Sequence, residues 1–455
     1  MEDVKLRDML TLTRDGEWGK GEATAGFSPA LVIRGTDFDK VRYGDLSTLP
    51  LRYIRSDILE RKAVRMGDTL IEAAGGTKDQ PTGRTVLITQ RLIDEAPLPL
   101  ICASFSRFLR PDATKIVPEF LFWKLQDEYH SRRMTPYHIQ HTGVARFQYT
   151  QFAEKYPLYI PSLSEQQAIA SVLGALDDKI ELNRRMNETL EAMARAIFKD
   201  WFVDFGPTRA KMAMRGEDPQ NENVARTPYL APDVWSLFPD RLDADGKPEG
   251  WGYSTVGERF DVKIGRTPPR IEGWHFTEGS SGVPWLSIRD LAQCGAYVHE
   301  TSEGLTEQSV KDCRVPVAAK DTVLVSFKLT VGRVAIAERS MATNEAIAHL
   351  NPIEGSPSSY FAYCWMKGFD YTTLGSTSSI ATAVNSKSIK GMRFPEVGKQ
   401  LENHFALFTE PLFKMLLNNS REARTLAQTR DLLLPKLMSG EVRVKDAERQ
   451  VGEAT

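Results

Sequence analysis

Two loops of the N-terminal half contain residue types that could perform chemistry. His138 and His141, in HIQH, have a spacing that could share a metal ion, but no Cys or carboxylate near them in the sequence completes a tetrahedral set. The segment GTKDQPTGRT (76–85) has the wrong glycine spacing for a phosphate-binding loop and has Arg84 where that loop needs Lys. We interpret both segments as polar surface loops, with no metal bound.

Three further patterns of catalytic type are absent or incomplete. The segment PDATKIVPE (111–119) lacks the Lys that a nuclease carboxylate cluster needs after Glu119, and its Pro118 favours a helix start instead. GSSG (279–282) lacks the strand–Ser–helix context of a nucleophile elbow. The chain contains neither a DPPY-type tetrapeptide nor a glycine-rich loop for S-adenosylmethionine. We therefore predict that the chain has no active site of its own and needs no cofactor.

Composition indicates an ordinary globular protein of two or three domains. The 455 residues are 41% hydrophobic and 26% charged, with a formal net charge of −2. That charge excludes a histone-like basic body but allows local basic faces. The sequence has no apolar run of membrane length and no signal-peptide core, so we expect a cytoplasmic location. The four Cys residues never form a close pair, which favours a reducing compartment over a disulfide or zinc framework.

The elements that must position any functional loops are two long amphipathic helices. Ser164–Phe202 contains no Pro, and its apolar residues recur at helical spacing; Ser164 is the expected N-cap, with Gln167 as its capping-box partner. A helix of this length spans about 55–60 Å. The residues that we expect to line its buried stripe, with one mid-helix Asn, are Ile169, Leu176, Ile180, Asn183, Leu190, Ile197 and Trp201.

A second long helical stretch runs to about Leu437 and is closed by Ser439-Gly440. Two such stripes are most simply buried against each other, as an antiparallel pair. Asn residues near the middle of each helix are either buried and fix the register of a coiled coil or exposed and incidental. The stripe and mid-helix Asn expected in the second helix are Phe405, Phe408, Leu412, Met415, Asn419, Leu426, Leu433 and Leu437.

The globular parts that precede the two helices resemble each other. Short β-like runs with Gly and Pro between them precede a helix near 117–133, and the same order of events restarts after Gly252. We match Asp68–Ile71 with Asp321–Leu324 and IPSLSEQQ (160–167) with FPEVGKQL (394–401). The first half is about twenty residues longer between such landmarks, and insertions of this kind usually lie in recognition loops.

These patterns predict a mixed α/β fold with a pseudo-two-fold internal repeat. Two α/β domains are separated by two long antiparallel helices that form a coiled coil. The predicted layout is a first domain at 1–160, a long helix at 161–203, an extended connector at 204–251, a second domain at 252–395, a second long helix at 396–440 and a tail at 441–455.

Several strings in and around the helices resemble the conserved regions of type I restriction–modification specificity subunits. They are the EQ before the first helix, DDKIELNRR at its centre, FKDWFVDF at its exit and LLPKLMSGEVRV near the C-terminus. With the repeated domain, the resemblance covers essentially the whole chain, although it is weak in the globular parts, where that family varies.

The resemblance implies a DNA sequence-specificity subunit without intrinsic activity. Each of two target-recognition domains reads one half of a bipartite, asymmetric double-stranded DNA site, and the helix pair sets the unread spacer. Two modification (methyltransferase) subunits dock on the chain and methylate adenine N6 from S-adenosylmethionine. Restriction subunits, with ATP and Mg²⁺, complete the translocase and nuclease.

DNA contacts are expected from polar and basic side chains on loops. The stretches 137–149 and 376–390 occupy equivalent places in the repeat, just before each domain ends, and are the favoured candidates. The predicted DNA-binding residues are Lys78, Arg84, Arg133, Tyr137, His138, His141, Arg146 and Tyr149 in the first domain, and Arg266, Arg270, Lys328, Arg333, Ser378, Ser379, Asn385 and Lys387 in the second.

Two other interpretations stay open at this point. The chain could be a non-catalytic coiled-coil adaptor whose globular domains bind protein rather than DNA. A stand-alone methyltransferase or nuclease is a third interpretation, which the missing motifs disfavour. Neither the DNA target sequence nor the spacer length can be read from the residues.

Overall fold

The computed structural model describes residues 2–76, 80–140, 145–217, 225, 227–328, 330–374 and 385–454. The chain divides into two compact units, one formed by residues 1–182 with 422–455 and the other by residues 183–421. Each unit therefore contains a stretch of both long helices. None of the described helices is long and apolar enough to cross a membrane.

The first unit is a mixed α/β structure. Its strands are β1 (Glu2–Lys5), β2 (Leu10–Asp15), β3 (Phe27–Ile33), β4 (Leu51–Arg55), β5 (Thr69–Glu72), β6 (Thr85–Leu87), β7 (Leu100–Cys102), β8 (Ser106–Pro111), β9 (His138–Gln140), β10 (Ala145–Phe147) and β11 (Pro157–Ile160). Its helices before the long one are α1 (Phe38–Arg42), α2 (Ser56–Lys62), α3 (Gln90–Glu95), α4 (Pro118–His130) and α5 (Tyr149–Lys155). Pro118 takes the first position of α4, as expected of a residue without an N–H.

The second unit follows the long helix α6 (Leu163–Phe202) and begins with α7 (Gly206–Met214) and α8 (Pro232–Trp235). Its strands are β12 (Gly252–Thr255), β13 (Phe260–Ile264), β14 (Phe276–Glu278), β15 (Val283–Leu286), β16 (Tyr297–Val298), β17 (Glu303–Leu305), β18 (Val317–Ala318), β19 (Val323–Ser326), β20 (Val334–Ala337), β21 (Met341–Thr343), β22 (Ile347–Pro352) and β23 (Arg393–Glu396). Its remaining helices are α9 (Val256–Arg259), α10 (Ile288–Leu291), α11 (Glu307–Asp312), α12 (Ser359–Gly368) and α13 (Ser386–Lys390). The second long helix is α14 (Lys399–Ser439), and α15 (Val444–Ala454) follows it.

The two units have the same sheet topology. In the first, one sheet has the order β2-β8-β5-β6 and another β4-β3-β7, with β3 parallel to β7 and antiparallel to β4. In the second, the corresponding orders β13-β22-β19-β20 and β17-β15-β21 recur, each extended by further strands. A two-stranded antiparallel pair joins the start and end of each domain, β1 with β11 and β12 with β23. This confirms the predicted mixed α/β fold and its internal repeat.

Backbone hydrogen bonds give the register of the repeat. Gly16 N donates to Ser106 O at 2.9 Å, and Gly265 N donates to Ile347 O at 3.0 Å in the second unit. A Cβ on Gly16 would lie 2.0 Å from a carbonyl oxygen of β7, and one on Gly265 would lie 2.1 Å from the Thr343 hydroxyl on β21. Only glycine fits these two strand crossings, so the two positions are equivalent.

The matches made from the sequence have the correct order but a slipped register. Ile88 N donates to Asp68 O in the first unit, and Ala337 N donates to Thr322 O in the second, so Asp68 corresponds to Thr322 rather than Asp321. Ile160 and Glu396 hold the same place opposite β1 and β12, two residues from the match of Ile160 with Phe394. Identical letters at neighbouring positions caused both slips.

The helix pair is antiparallel within each unit, as predicted. In the first unit Lys179 pairs with Glu422 at 3.5 Å and Asp177 with Arg430. In the second, the ring centroids of Phe198 and Phe405 are 5.6 Å apart, and Asn187 Nδ2 donates to Ser420 Oγ at 2.9 Å. In each unit, residues later in α6 contact residues earlier in α14, so the two helices run in opposite directions.

Two details near the ends of α6 differ from the expectation. The helix begins at Leu163, and Gln166 N donates to Ser162 O, so Ser162 rather than Ser164 takes the N-cap position. The predicted extended connector contains the nine-residue helix α7, which starts with Pro207 near its N-terminus and buries Thr208 and Ala210. Its GPTRAKMAM sequence gives only a short periodic pattern among many turn-forming residues, which concealed the helix.

Candidate nucleic-acid interface

In the first unit the loops that carry the predicted DNA-binding residues lie together at one end of the β5–β8 sheet. Ala73 N and Ala74 N both donate to Phe105 O, at 2.8 and 3.1 Å. Phe147 N, on β10, donates to Ala73 O at 2.9 Å. The loop after β5, the turn before β8 and the β9–β10 hairpin therefore form one continuous surface.

Side chains strengthen this junction. Thr82 N donates to His138 Nδ1 at 3.1 Å, and Tyr129 OH donates to Pro81 O at 3.0 Å. His138 is thus engaged with the β5–β6 loop. Across the part of the chain that the structure describes, no three His, Cys, Asp or Glu side chains are arranged to hold a metal ion. Lys78 and His141 lie outside the described residues.

Several predicted contacts of the first unit are already used inside the fold. Arg84 makes two hydrogen bonds to Glu72, at 3.0 and 2.8 Å. Arg133 bonds Glu128 at 2.5 Å and also reaches Asp127. Burial raises the pKa of Asp127, and the nearby charges of Arg133 and Lys124 only partly offset that effect. These guanidinium groups neutralise buried carboxylates in this conformation.

Aromatic residues of the same surface form the support beneath it. Tyr137 packs edge-on against Phe152, with ring centroids 5.3 Å apart. Tyr149 lies under the guanidinium of Arg107, 4.5 Å from the ring centroid, and burial raises the pKa of its hydroxyl. Arg146, by contrast, is exposed on β10 and has no side-chain partner among the described residues. Among the described residues, Arg146 is therefore a cation of this surface that is available to a ligand.

The second unit repeats the arrangement with different side chains. Phe327 N donates to Ala346 O at 2.9 Å, as Ala73 N does to Phe105 O in the first unit. A Cβ on Gly332 would lie 2.8 Å from the Tyr371 ring, so the β19–β20 turn packs against the segment 371–374. Ser378 and Ser379, which follow that segment, lie outside the described residues.

The predicted cations of the second unit fall into two groups. Arg270 forms two hydrogen bonds to Glu303, at 2.9 and 2.8 Å, and lies 4.4 Å from the centroid of the Phe276 ring. Arg266 donates to Cys313 O at 2.6 Å. Lys328 and Lys387 are exposed, and neither ammonium has a carboxylate partner among the described residues. The two lysines therefore resemble Arg146 in being available.

Asn385 and Arg333 have local roles that the sequence did not suggest. Asn385 is the N-cap of α13, where its Oδ1 accepts from Lys387 N at 2.9 Å and from Ser388 N at 3.1 Å. Arg333 donates from its side chain to Ile288 O at 3.4 Å, a long contact. The cap fixes the start of α13 and thus the direction in which Lys387 projects.

The sequence is similar to those of known DNA specificity proteins. A family model described as the type I restriction modification DNA specificity domain matches residues 64–192. The specificity subunit of the type I restriction enzyme HindI from Haemophilus influenzae is 26% identical over 423 residues, covering 84% of this chain and 88% of that protein. The MjaIX specificity subunit from Methanocaldococcus jannaschii is 26% identical over 470 residues, covering 98% of this chain and 97% of that protein.

The chain is similar to type I restriction–modification specificity subunits over most of its length. A crystal structure of the S subunit of such a system from M. genitalium has the same fold, with a TM-score of 0.51 and 15% identity over 96% of this chain and 95% of that one.

The predicted stripe of α6 lies in the cores of the two units. Ile169, Leu176 and Ile180 are buried in the first unit, Leu190 and Trp201 are buried in the second, and Ile197 packs against the latter core. On α14, Leu426 and Leu433 are buried in the first unit and Leu412 packs against the core of the second.

The stripe of α14 differs in part from the predicted one in the second unit. The predicted Phe405 is buried, but Phe408 and Met415 are 55% and 44% exposed, and Phe413 and Leu416, which were not predicted, are buried. Phe413 lies in an aromatic pocket, stacked 4.4 Å from the ring centroid of Tyr360. The sequence of α14 offers apolar residues on two faces, and this pocket, built by α12, selects one of them.

The mid-helix Asn residues bear on the open question about the register of the helix pair. Asn183 is 1% exposed, and Asn419 Nδ2 donates to Asn187 Oδ1 at 3.0 Å. Asn187 also donates to Leu416 O at 3.2 Å across the pair. These three residues form a buried or half-buried polar layer that fixes the pairing, while Asn418 is exposed.

Two exposed residues at the loop surfaces were not predicted. Phe105 is 62% exposed where three segments of the first unit meet. Arg289 is exposed on α10, beside the carbonyl of Ile288 that Arg333 approaches. An exposed aromatic between two serines is a weak sequence signal for Phe105. Arg289 gives no signal, because α10 and Arg333 are more than forty residues apart in the sequence and meet only in the folded unit.

Proposed function

We propose that the two units contain two target-recognition domains, each of which reads one half of a bipartite, asymmetric DNA site. The observation that carries this proposal is the repeat itself: one sheet topology occurs twice, with different residues on equivalent loops. Identical halves related by a two-fold axis suit a palindrome, whereas different halves suit two unrelated half-sites. Similarity to type I specificity subunits supports the same assignment.

The equivalent loops differ in length and charge. Eleven residues, 73–83, separate Glu72 from its hydrogen-bonded partner Arg84, whereas six residues, 327–332, separate Ser326 from Arg333. Glu17 N donates to Cys102 O in the first unit, and Arg266 N donates to Thr343 O in the second, so a carboxylate in one domain corresponds to a guanidinium in the other. Such differences at matched positions are what two different half-sites require.

The helix pair serves in this proposal as the spacer and as the platform for partners. Two modification (methyltransferase) subunits dock on the chain and carry S-adenosylmethionine, and restriction subunits with ATP and Mg²⁺ complete the nuclease. Exposed apolar side chains on the long helices support a docking role, since such patches often mark contact surfaces. They include Leu182, Met193, Leu407, Phe408, Met415 and Leu432.

The test is a domain exchange read by methylation mapping. The chain is expressed with its modification subunits, and adenine methylation of the host genome is mapped at base resolution. We expect a bipartite motif with a fixed spacer. Replacing residues 1–160 by the equivalent domain of a relative should change one half of that motif and leave the other half and the spacer unchanged.

The control exchanges residues 252–395 instead, which should change the other half. A motif that stays the same after both exchanges would contradict the proposal and favour a protein-binding adaptor. Methylation by the purified chain alone, with S-adenosylmethionine, would contradict its role as a non-catalytic subunit.

A further inference from the structure

Arg84 and Arg333 occupy equivalent positions of the internal repeat. Glu72 N donates to Arg84 O at 2.8 Å, and Ser326 N donates to Arg333 O at 2.9 Å. The next bond recurs as well, from Gly83 N to Glu72 O and from Gly332 N to Ser326 O. Both arginines therefore lie directly before β6 or β20, at the loop end of their sheets and opposite position 72 or 326. The opposing residue is Glu in one domain and Ser in the other.

Arg84 is held inside the first unit by a buried carboxylate. The side chains of Arg84 and Glu72 are 15% and 3% exposed, and two parallel hydrogen bonds join them. Burial lowers the pKa of Arg84, but the hydrogen bonds and charge of Glu72 more than offset this, and the net shift is upward. Gly35 makes room for the carboxylate, because a Cβ there would lie 2.7 Å from Glu72 Oε1.

Arg333 has no such partner. Ser326 Oγ accepts from Arg333 N at 3.1 Å and donates to Thr330 O, so position 326 supplies no negative charge. Among the residues that the structure describes, the side chain of Arg333 donates one long hydrogen bond, to Ile288 O at 3.4 Å, and has no carboxylate partner. Ile288 is the equivalent of Gly35. Each follows an N-cap residue, Ser287 or Arg34, whose backbone is bonded by the aspartate three positions later, Asp290 or Asp37. Lys328, on the same turn, also has no carboxylate partner in the part of the chain that the structure describes.

We propose that Arg333 contacts DNA in the second half-site, whereas Arg84 is a structural residue that does not. The inference rests on the proposed function and divides two residues that sequence reasoning treated alike. The ligand chemistry is an acceptor oxygen or nitrogen of DNA, on a phosphate or on a base edge such as that of guanine. Ser326 leaves the guanidinium of Arg333 available, and Glu72 removes that of Arg84 from use.

The test measures binding of the full complex with modification subunits to a duplex that carries the mapped motif, over a series of salt concentrations. Arg333→Ala should weaken binding about fivefold or more. If the contact is to a phosphate, all sequences should be weakened alike and the salt slope should fall by about one. If it is to a base, one position of the second half-site should become degenerate.

A capture variant tests the reasoning without removing the arginine. Ser326→Glu with Ile288→Gly rebuilds the carboxylate and the space that hold Arg84, and should weaken binding as much as Arg333→Ala. The matched control, Ser326→Gln with Ile288→Gly, has the same size without the charge and should bind like the wild type. Arg84→Ala should lower the melting temperature, because it leaves Glu72 buried and unpaired, and should leave the salt slope unchanged.

The outcomes separate the two proposals. A wild-type complex that shows no preference for the bipartite duplex would refute the proposed function itself. Specific binding by the wild type, together with unchanged affinity and salt slope in both Arg333→Ala and the capture variant, would overturn only the inference about Arg333. Thermal unfolding of each variant identifies any loss of binding that comes from misfolding.

Discussion

Asp177, the first residue of the DDKIELNRR string, provides a quantitative test of what holds the first unit together. Its carboxylate on α6 accepts two hydrogen bonds from Arg42, at 2.8 and 3.1 Å, and one from Arg430 on α14. The three side chains are 15%, 16% and 9% exposed for Arg42, Asp177 and Arg430, respectively. One carboxylate thus joins α1, α6 and α14.

The cost of removing this carboxylate follows from the two charges that it leaves behind. Breaking a buried ion pair costs about 3–5 kcal/mol, because the remaining charge stays desolvated. Arg430 keeps the exposed Asp431, at 2.8 Å, and Arg42 keeps the rings of Phe122 and Trp123, 5.3 and 5.2 Å away. We therefore expect the lower end of the range for Asp177→Ala, about 3 kcal/mol of the free energy of unfolding.

Thermal unfolding by calorimetry is the assay. For a unit of this size, about 3 kcal/mol corresponds to a melting temperature lower by about 6–12 °C. The matched control is Asp178→Ala, one residue along the same helix. Asp178 is exposed on the surface of α6, so its removal should cost less than about 0.5 kcal/mol. Equal melting temperatures for the two variants would refute the assignment of Asp177 as a structural centre.

The remaining predictions concern a buried histidine and the spacer. His349 is fully buried, with its Nε2 2.6 Å from Thr343 Oγ1, and burial lowers its pKa to about 4. Between about pH 6.5 and pH 4 this histidine is therefore protonated in the unfolded chain but neutral in the folded unit. The free energy of unfolding of the second unit should therefore fall by up to about 3 kcal/mol between pH 6.5 and pH 4. The double variant His349→Phe with Thr343→Cys, which introduces the residues found at the equivalent positions Phe108 and Cys102, should remove this part of the fall. Parallel pH profiles of melting temperature for the variant and the wild type would contradict the assignment. Insertion of one heptad after Leu182 and another after Arg421 adds about 10 Å to each long helix, which corresponds to about three base pairs of DNA. Methylation mapping should then show a longer spacer between unchanged half-sites or a loss of methylation. An unchanged spacer would contradict the role of the helices.

Much of the fold could be predicted from the sequence, because it is written in local periodicity. Both long helices, the order of events in each half and Pro118 at the start of α4 follow from spacing and from single-residue preferences. The register of the repeat did not follow, because letters such as Pro161 and Pro395 coincide without being equivalent: Pro395 lies inside β23, and Pro161 follows β11.

The candidate interface was predicted less well, because the availability of a cation depends on residues distant in the sequence. Glu72 lies twelve positions before Arg84, and Glu303 lies thirty-three after Arg270, yet each takes up its arginine with two hydrogen bonds. Arg146 has no such partner among the described residues. Loop position and residue type select candidates; strand pairing decides which of them are free.

The two pairs of backbone bonds that close the β5–β6 and β19–β20 loops also bear on how such a protein can be re-targeted. Glu72 and Gly83 clamp the first loop, Ser326 and Gly332 clamp the second, and both closing glycines have positive φ, 107° and 87°. Because main-chain atoms make these hydrogen bonds, the same bonds close a loop of eleven residues in the first unit and one of six residues in the second. The fold thus offers cassette boundaries: a segment exchanged between these points meets the same strand ends and leaves the sheet beneath it in register.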